Sequence, residues 1–200
     1  MQTVFPPILE RLVGHFSRLP GIGRKTAQRL AMAALEWRDE DLLAFGEDLR
    51  NLRQSVKHCP CCGSYTEGQL CAICASQQRN HHQVCVVEQA SQIAVFENAG
   101  CFNGVYHVLG GRIAPLSGIG PEKLRISELI QRVESGEIEE LILATSPDVA
   151  GEATANFIAS LLADYPVEIT RLAAGLPAGA DVGYADAATL ALALSGRHKL

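Results

Sequence analysis

Cys59-Pro60-Cys61-Cys62-Gly63 and, eight residues on, Cys71-Ala72-Ile73-Cys74 divide this 200-residue chain into two parts of different character. Paired C-x-x-C knuckles at this spacing suit a structural zinc site. Cys59 and Cys62 turn two thiolates toward one point, and Cys71 and Cys74 supply the second pair. One zinc ion per chain, held by four sulfurs with no open position, organises structure and does no chemistry. Cys61 has no cysteine three residues away, so it reads as a bystander. The alternative is a pair of disulfides or a redox C-x-x-C.

Before the cysteines the pattern is helical. Ile8, Leu9, Leu12, Val13 and Phe16 recur at helical spacing, which predicts a helix over residues 4–18. Leu19-Pro20-Gly21-Ile22-Gly23 interrupts it. Further helices are expected from about Arg24 to Glu36 and from about Asp39 to Val56. After the cysteines, Gln77 to Gln83 reads as a polar linker. Strands are then expected at Val84–Val87, Val105–Leu109, Leu141–Ala144 and Val167–Thr170, with helices near 91–98, 123–135 and 151–164. This alternation predicts an α/β fold with a parallel sheet covered on both faces. Asp186 to Leu194 reads as a last helix. The apolar stretch Ala187 to Leu194 either packs on a neighbouring copy or closes its own domain.

Composition sets limits. A hydrophobic fraction of 48% supplies a real core. No run of eighteen apolar residues is present, so no membrane span is expected. The N-terminus lacks a basic segment followed by an apolar one, so no signal peptide is expected. Seven cysteines without such a signal suit a reducing cytosol. The net charge of −5 is unevenly spread. Residues 1–30 carry five basic side chains against one acid, whereas residues 58–200 carry eight against fifteen. A basic head on an acidic body points to a localised anion site.

The glycine turn is where that site is expected. Gly21 and Gly23 let the backbone turn sharply and approach another molecule closely. Their N–H groups, with those opening the next helix, form a cradle for a phosphate. Arg24 follows directly, and Lys25 and Arg29 share one face of that helix. Such contacts hold DNA by its backbone and read no sequence. One such turn grips weakly, so several copies in an oligomer are expected. The alternative is a plain corner between helices.

Glu88, Asp148 and Glu152 lie at the carboxyl ends of expected strands, the usual site position of parallel sheets. Together they could hold Mg²⁺ through oxygen ligands. The other reading is that they cap helices or meet a partner. The layout resembles the Toprim domain of topoisomerases and primases, except that alanine stands at position 150. A Mg²⁺-dependent, primase-like or nuclease activity is the alternative function.

The ordered set of helix-hairpin-helix turn, four-cysteine knuckle and Toprim-like domain resembles the RecR family of bacterial recombination mediators. Cys85-Val-Val-Glu88, Tyr106-His-Val-Leu-Gly-Gly111, Pro115-Leu-Ser-Gly-Ile-Gly-Pro121, Gly151-Glu-Ala-Thr154, Arg171 with Gly175-Leu-Pro177, and the ending Gly196-Arg-His-Lys carry the resemblance further. It implies a non-enzymatic role in DNA repair, acting with RecO, and RecF in some pathways, to load RecA on gapped or single-stranded DNA. It implies dimers or ring-like tetramers in a bacterial cytoplasm, associated with the nucleoid. By position it implies DNA contacts at Lys25 and Arg29, zinc at the four cysteines, and partner or metal contacts at Glu88 and Glu152. The expected organisation is 1–57 a helix-hairpin-helix module, 58–80 a zinc finger and linker, 81–175 a Toprim domain, and 176–200 a C-terminal segment suited to an oligomer contact.

Overall fold

A computed structural model of the chain describes residues 5–197. The backbone divides into two compact units, one ending at Ser55 and the other starting at Val56. In the first, α1 (Pro7–Phe16), α2 (Arg24–Ala34) and α3 (Asp39–Ser55) follow one another. Pro7 opens α1 because proline's fixed φ suits the first helical turn, where no N–H is needed. The helix is therefore shorter at both ends than its apolar spacing predicts; position 4 lies outside the described residues. Leu9 and Val13 of α1 bury against Ala27 and Ala31 of α2, with Ile22 packed beside them. The two alanines let the helices approach closely. Helix α3 has no buried residue, and Leu43, Leu49 and Leu52 are each more than half exposed.

The second unit begins with an antiparallel hairpin, β1 (Lys57–His58) and β2 (Tyr65–Thr66), followed by the single turn α4 (Ala72–Ala75). Then come β3 (Asn80–Val87), α5 (Ala90–Ala99), β4 (Gly104–Val108), α6 (Ile126–Glu134), β5 (Glu140–Leu143), α7 (Val149–Leu161), β6 (Glu168–Arg171) and α8 (Ala187–Ser195). The four long-range strands form one parallel sheet in the order β4-β3-β5-β6.

Strand β3 runs through the middle with its last four residues buried. Its alternation sorts the core into two layers. Val84 and Val86 join Leu141, Leu143, Leu129, Val133 and Ile158 on the face that packs against α6 and α7. Cys85 and Val87 join Tyr106, Val108 and Ile93 on the face that packs against α5. Continuous apolar runs are what a parallel strand needs when both faces are covered.

Two expectations are corrected here. The polar stretch Gln77 to Gln83 is not wholly a linker, because β3 starts at Asn80, which pairs with Gly104 before an irregularity restores register at Val84. Helix α7 opens at Val149 rather than at Gly151. Asp148 accepts the Gly151 N–H at 2.9 Å and so starts the helix two residues earlier. Gly151 is required there, since a Cβ would lie 2.0 Å from the Ser146 carbonyl oxygen.

Candidate functional site

Leu19-Pro20-Gly21-Ile22 forms a tight turn in which the Ile22 N–H donates to the Leu19 carbonyl at 3.1 Å. Proline at the second position and Gly21 with φ of +77° at the third are the requirements of a type II turn. Gly23 then caps α2 with extended backbone, no side-chain cap and no acid in the first turn. The opening N–H groups of α2 thus have no side-chain partner. Gly21 and Gly23 are exposed, as are Arg24, Lys25 and Arg29. Arg24 donates to Glu10 at 3.0 Å, tying α2 to α1. Among the described residues, Lys25 and Arg29 enter no ion pair, and being four apart they lie on one face of α2.

Cys59, Cys62, Cys71 and Cys74 are buried together, and their sulfurs all lie within 4.8 Å of one another. The Sγ atoms of Cys62 and Cys71 are 3.6 Å apart. Tetrahedral zinc with bonds of about 2.3 Å sets its sulfurs roughly 3.8 Å apart, so the donor set fits the ion. Backbone geometry supports thiolates at this point. The Ser64 N–H donates to Cys62 Sγ and the Cys71 N–H to Cys59 Sγ, both at 3.4 Å, and the Cys74 N–H donates to Cys71 Sγ at 3.5 Å. Hydrogen bonding with Cys74 first, and the Ser64 N–H after it, pulls the Cys62 thiol down toward the thiolate. All seven cysteines are free of disulfides. Cys61 sits half-buried against this cluster but outside the four-sulfur set.

The acids at the sheet's carboxyl edge do not converge. Among the described residues, the four cysteines are the only group of three or more potential ligands brought together. Glu88 is buried and its Oε1 accepts the Ser146 N–H at 2.7 Å. Asp148 caps α7 and pairs with Arg112; the Gly151 N–H first, and Arg112 second, hold its carboxyl below the ordinary range. Glu152 accepts from Arg171 at 2.7 Å. Each acid is committed to a partner within the chain. Arg112 escaped the sequence reading because it lies 36 residues from Asp148, and no local pattern announces such a pair.

Family models match in chain order: RecR helix-hairpin-helix over residues 9–53, RecR four-cysteine zinc finger over 56–76, Toprim over 82–173 and RecR C-terminal over 175–198. Curated relatives agree along the whole length. The recombination protein RecR of Treponema denticola is 47% identical over 191 residues, covering 96% of this chain and 98% of that protein. The chain belongs to the RecR family. RecR of Rubrobacter xylanophilus is 47% identical, with 96% of each chain covered, and RecR of Acidobacterium capsulatum is 46% identical over 99% of this chain and all of its own. Cys59, Cys62, Cys71 and Cys74 are the zinc site of this family's four-cysteine finger, and the ion's role is structural. No helix among the described residues is long and apolar enough to cross a membrane.

Proposed function

We propose that this RecR-family chain is a non-enzymatic recombination mediator that holds DNA by its backbone and promotes RecA loading on gapped or single-stranded DNA with RecO, and with RecF where that pathway operates. One observation carries the reading: a helix start without a side-chain cap beside two cations that enter no ion pair among the described residues. A Cβ at Gly23 would meet nothing within 4 Å, and its φ of −76° suits any residue. Neither φ nor space imposes glycine at this position, although glycine serves as a helix cap, and close approach of a phosphate favours it further. Gly21, Gly23, Lys25 and Arg29 make the contact; Arg24 contributes charge while braced by Glu10.

One such site is weak, and the chain acts as several copies in a dimer or ring-like tetramer. Helix α3 supports this. Seventeen residues without a buried side chain, carrying a row of exposed leucines, do not make a stable helix in water without a partner surface. Helix α8, apolar yet also without a buried residue, is the second contact. Several copies of the basic first unit in one assembly multiply the phosphate contacts available to a single DNA.

Glu88, Asp148 and Glu152 serve sheet architecture and partner contact rather than holding Mg²⁺, since cations and backbone donors of the chain already occupy them. The four segments work as a helix-hairpin-helix DNA module, a zinc finger and linker, a Toprim domain and a C-terminal segment for assembly, in a bacterial cytoplasm at the nucleoid. Native mass spectrometry with and without gapped DNA tests the reading. Zinc-loaded oligomers that retain the DNA are expected, and a strictly monomeric protein indifferent to DNA at low salt overturns it.

A further inference from the structure

A cavity of about 310 Å³ lies between the zinc hairpin and the carboxyl edge of the sheet, lined by His58, Tyr65, Gln89, Leu109, Lys123 and Arg125 among others. We propose that it receives one base of a single-stranded nucleic acid, stacked on Tyr65 with its flanking phosphates at Lys123 and Arg125. The proposal rests on the DNA-binding reading above and adds a second contact, on the unit that does not carry the glycine turn.

Tyr65 is 61% exposed on a two-residue strand, so its ring does little for the core. The ring is nevertheless ordered by a neighbour, lying 5.3 Å from His58 between ring centres with 34° between the planes. His58 in turn is fixed by a 2.9 Å hydrogen bond between Nδ1 and the Gly63 carbonyl. The result is a pre-positioned aromatic platform, which is what sequence-independent binding of single strands uses.

The charge around it is of the right sign. No acidic side chain lines this cavity, although the chain has a net charge of −5. Of two other cavities among the described residues, one is lined by Asp181 and Asp186 and the other by Glu134. Lys123 is exposed and spends one donor on the Gly118 carbonyl at 2.6 Å, leaving two. Arg125 meets Glu128 through Nη1 at 3.4 Å, while its Nε is buried without a partner. The guanidinium cannot swing away freely, because it packs on Gly63, where a Cβ would lie 2.7 Å from Nε. The Gln92 N–H closes the first turn of α5 on the Gln89 backbone carbonyl at 3.0 Å and the Gln89 side chain makes no cap hydrogen bond, which leaves its amide for a base edge.

The full-length, zinc-loaded protein is titrated into a thymidine oligonucleotide carrying one 2-aminopurine. Stacking on Tyr65 quenches the probe. Tyr65→Ala, with zinc content unchanged, is expected to abolish the quench and weaken retention roughly tenfold, and Tyr65→Phe to restore both. Equal quench and affinity in Tyr65→Ala, while Lys25→Ala with Arg29→Ala still releases the strand, overturns this inference and leaves the DNA-binding reading standing. Wild-type protein that ignores the oligonucleotide at low salt overturns both. Displacement of the probe strand by thymidine monophosphate at equal concentration would assign the cavity to a free nucleotide and overturn the strand proposal.

Discussion

Arg171 closes on Glu152 at the carboxyl edge of the sheet, its Nη1 donating to Oε2 at 2.7 Å while Nη2 reaches the Thr145 carbonyl and hydroxyl at 3.3 Å. The acid that a Toprim-like layout offers to a metal is thereby neutralised by a strand residue of the same sheet. The pair is half in solvent, with side chains 29% and 50% exposed, so its worth to stability is small. Glu152→Gln is expected to cost under about 1 kcal/mol. Glu88→Ala, which empties a buried side-chain position and leaves the half-buried Ser146 N–H without its acceptor, is expected to cost about 1–3 kcal/mol. Urea unfolding of the two variants checks the order. Neither the wild type nor either variant is expected to cut nicked, gapped or single-stranded DNA with Mg²⁺ or Mn²⁺. Cleavage lost in Glu88→Gln would reverse that reading.

Zinc binding to such knuckles is typically worth about 10–16 kcal/mol, comparable with or above the whole stability of a domain. Cys59→Ser and Cys74→Ser are therefore expected to give poorly folded, insoluble protein. Cys101→Ser, at an exposed position away from the cluster, is expected to behave as wild type, and Cys61→Ser to keep one zinc per chain. Metal analysis and circular dichroism read these outcomes. A soluble Cys74→Ser protein that keeps native helix content would show the ion to be dispensable.

What could be read in the sequence was what is local. The cysteine spacing, the Pro-Gly turn and the apolar runs of β3, β4 and β5 are each complete within short stretches of chain. Long-range pairings were hidden. The polar start of β3 is a strand only because Asn80 and Gln83 find Gly104 and Glu140 beside them. Arg112 with Asp148, and the wall formed by His58, Tyr65 and Arg125, depend on the folded sheet bringing distant segments together. Helix α3 was expected from about Asp39 to Val56 and runs over Asp39–Ser55, but a local pattern does not say what covers its exposed leucines.

His107 introduces a pH dependence. It is fully buried, and burial pulls its pKa down to about 4 although Nε2 is 2.8 Å from the Arg125 carbonyl. Neutral imidazole donates through Nε2 and leaves Nδ1 without a partner. In the unfolded chain the ring takes up its proton near the ordinary value of about 6.5. Between the two values the unfolded state binds more protons, so stability rises with pH. The contribution is full above about 6.5 and lost as pH falls toward about 4. Its ceiling is on the order of 3 kcal/mol. His107→Gln, which keeps a donor for the Arg125 carbonyl, is expected to flatten this limb of the stability curve relative to wild type. Parallel curves would remove His107 as the cause, and would leave thiolate protonation at the zinc site as the acid-sensitive element.

Gly21 and Gly23 separate folding from binding. At Gly21 the φ of +77° is imposed by the turn, so Gly21→Ala is expected to destabilise the first unit by about 1–2 kcal/mol. At Gly23 the backbone is ordinary and a Cβ has open space, so Gly23→Ala is expected to fold, losing only the N-cap preference of glycine over alanine, under about 1 kcal/mol. Its methyl group would stand where a phosphate must approach the first turn of α2, and DNA affinity should fall by more than the small loss of stability explains. Lys25→Ala with Arg29→Ala acts through charge instead. Each phosphate contact contributes roughly 0.9 to the slope of log affinity against log salt, so losing both should flatten the slope by about 1.8. Fluorescence anisotropy with gapped DNA across a salt series distinguishes the mechanisms: Gly23→Ala lowers affinity with little change of slope, whereas the double variant changes both. An unchanged slope in the double variant would place the phosphate contacts elsewhere on the chain.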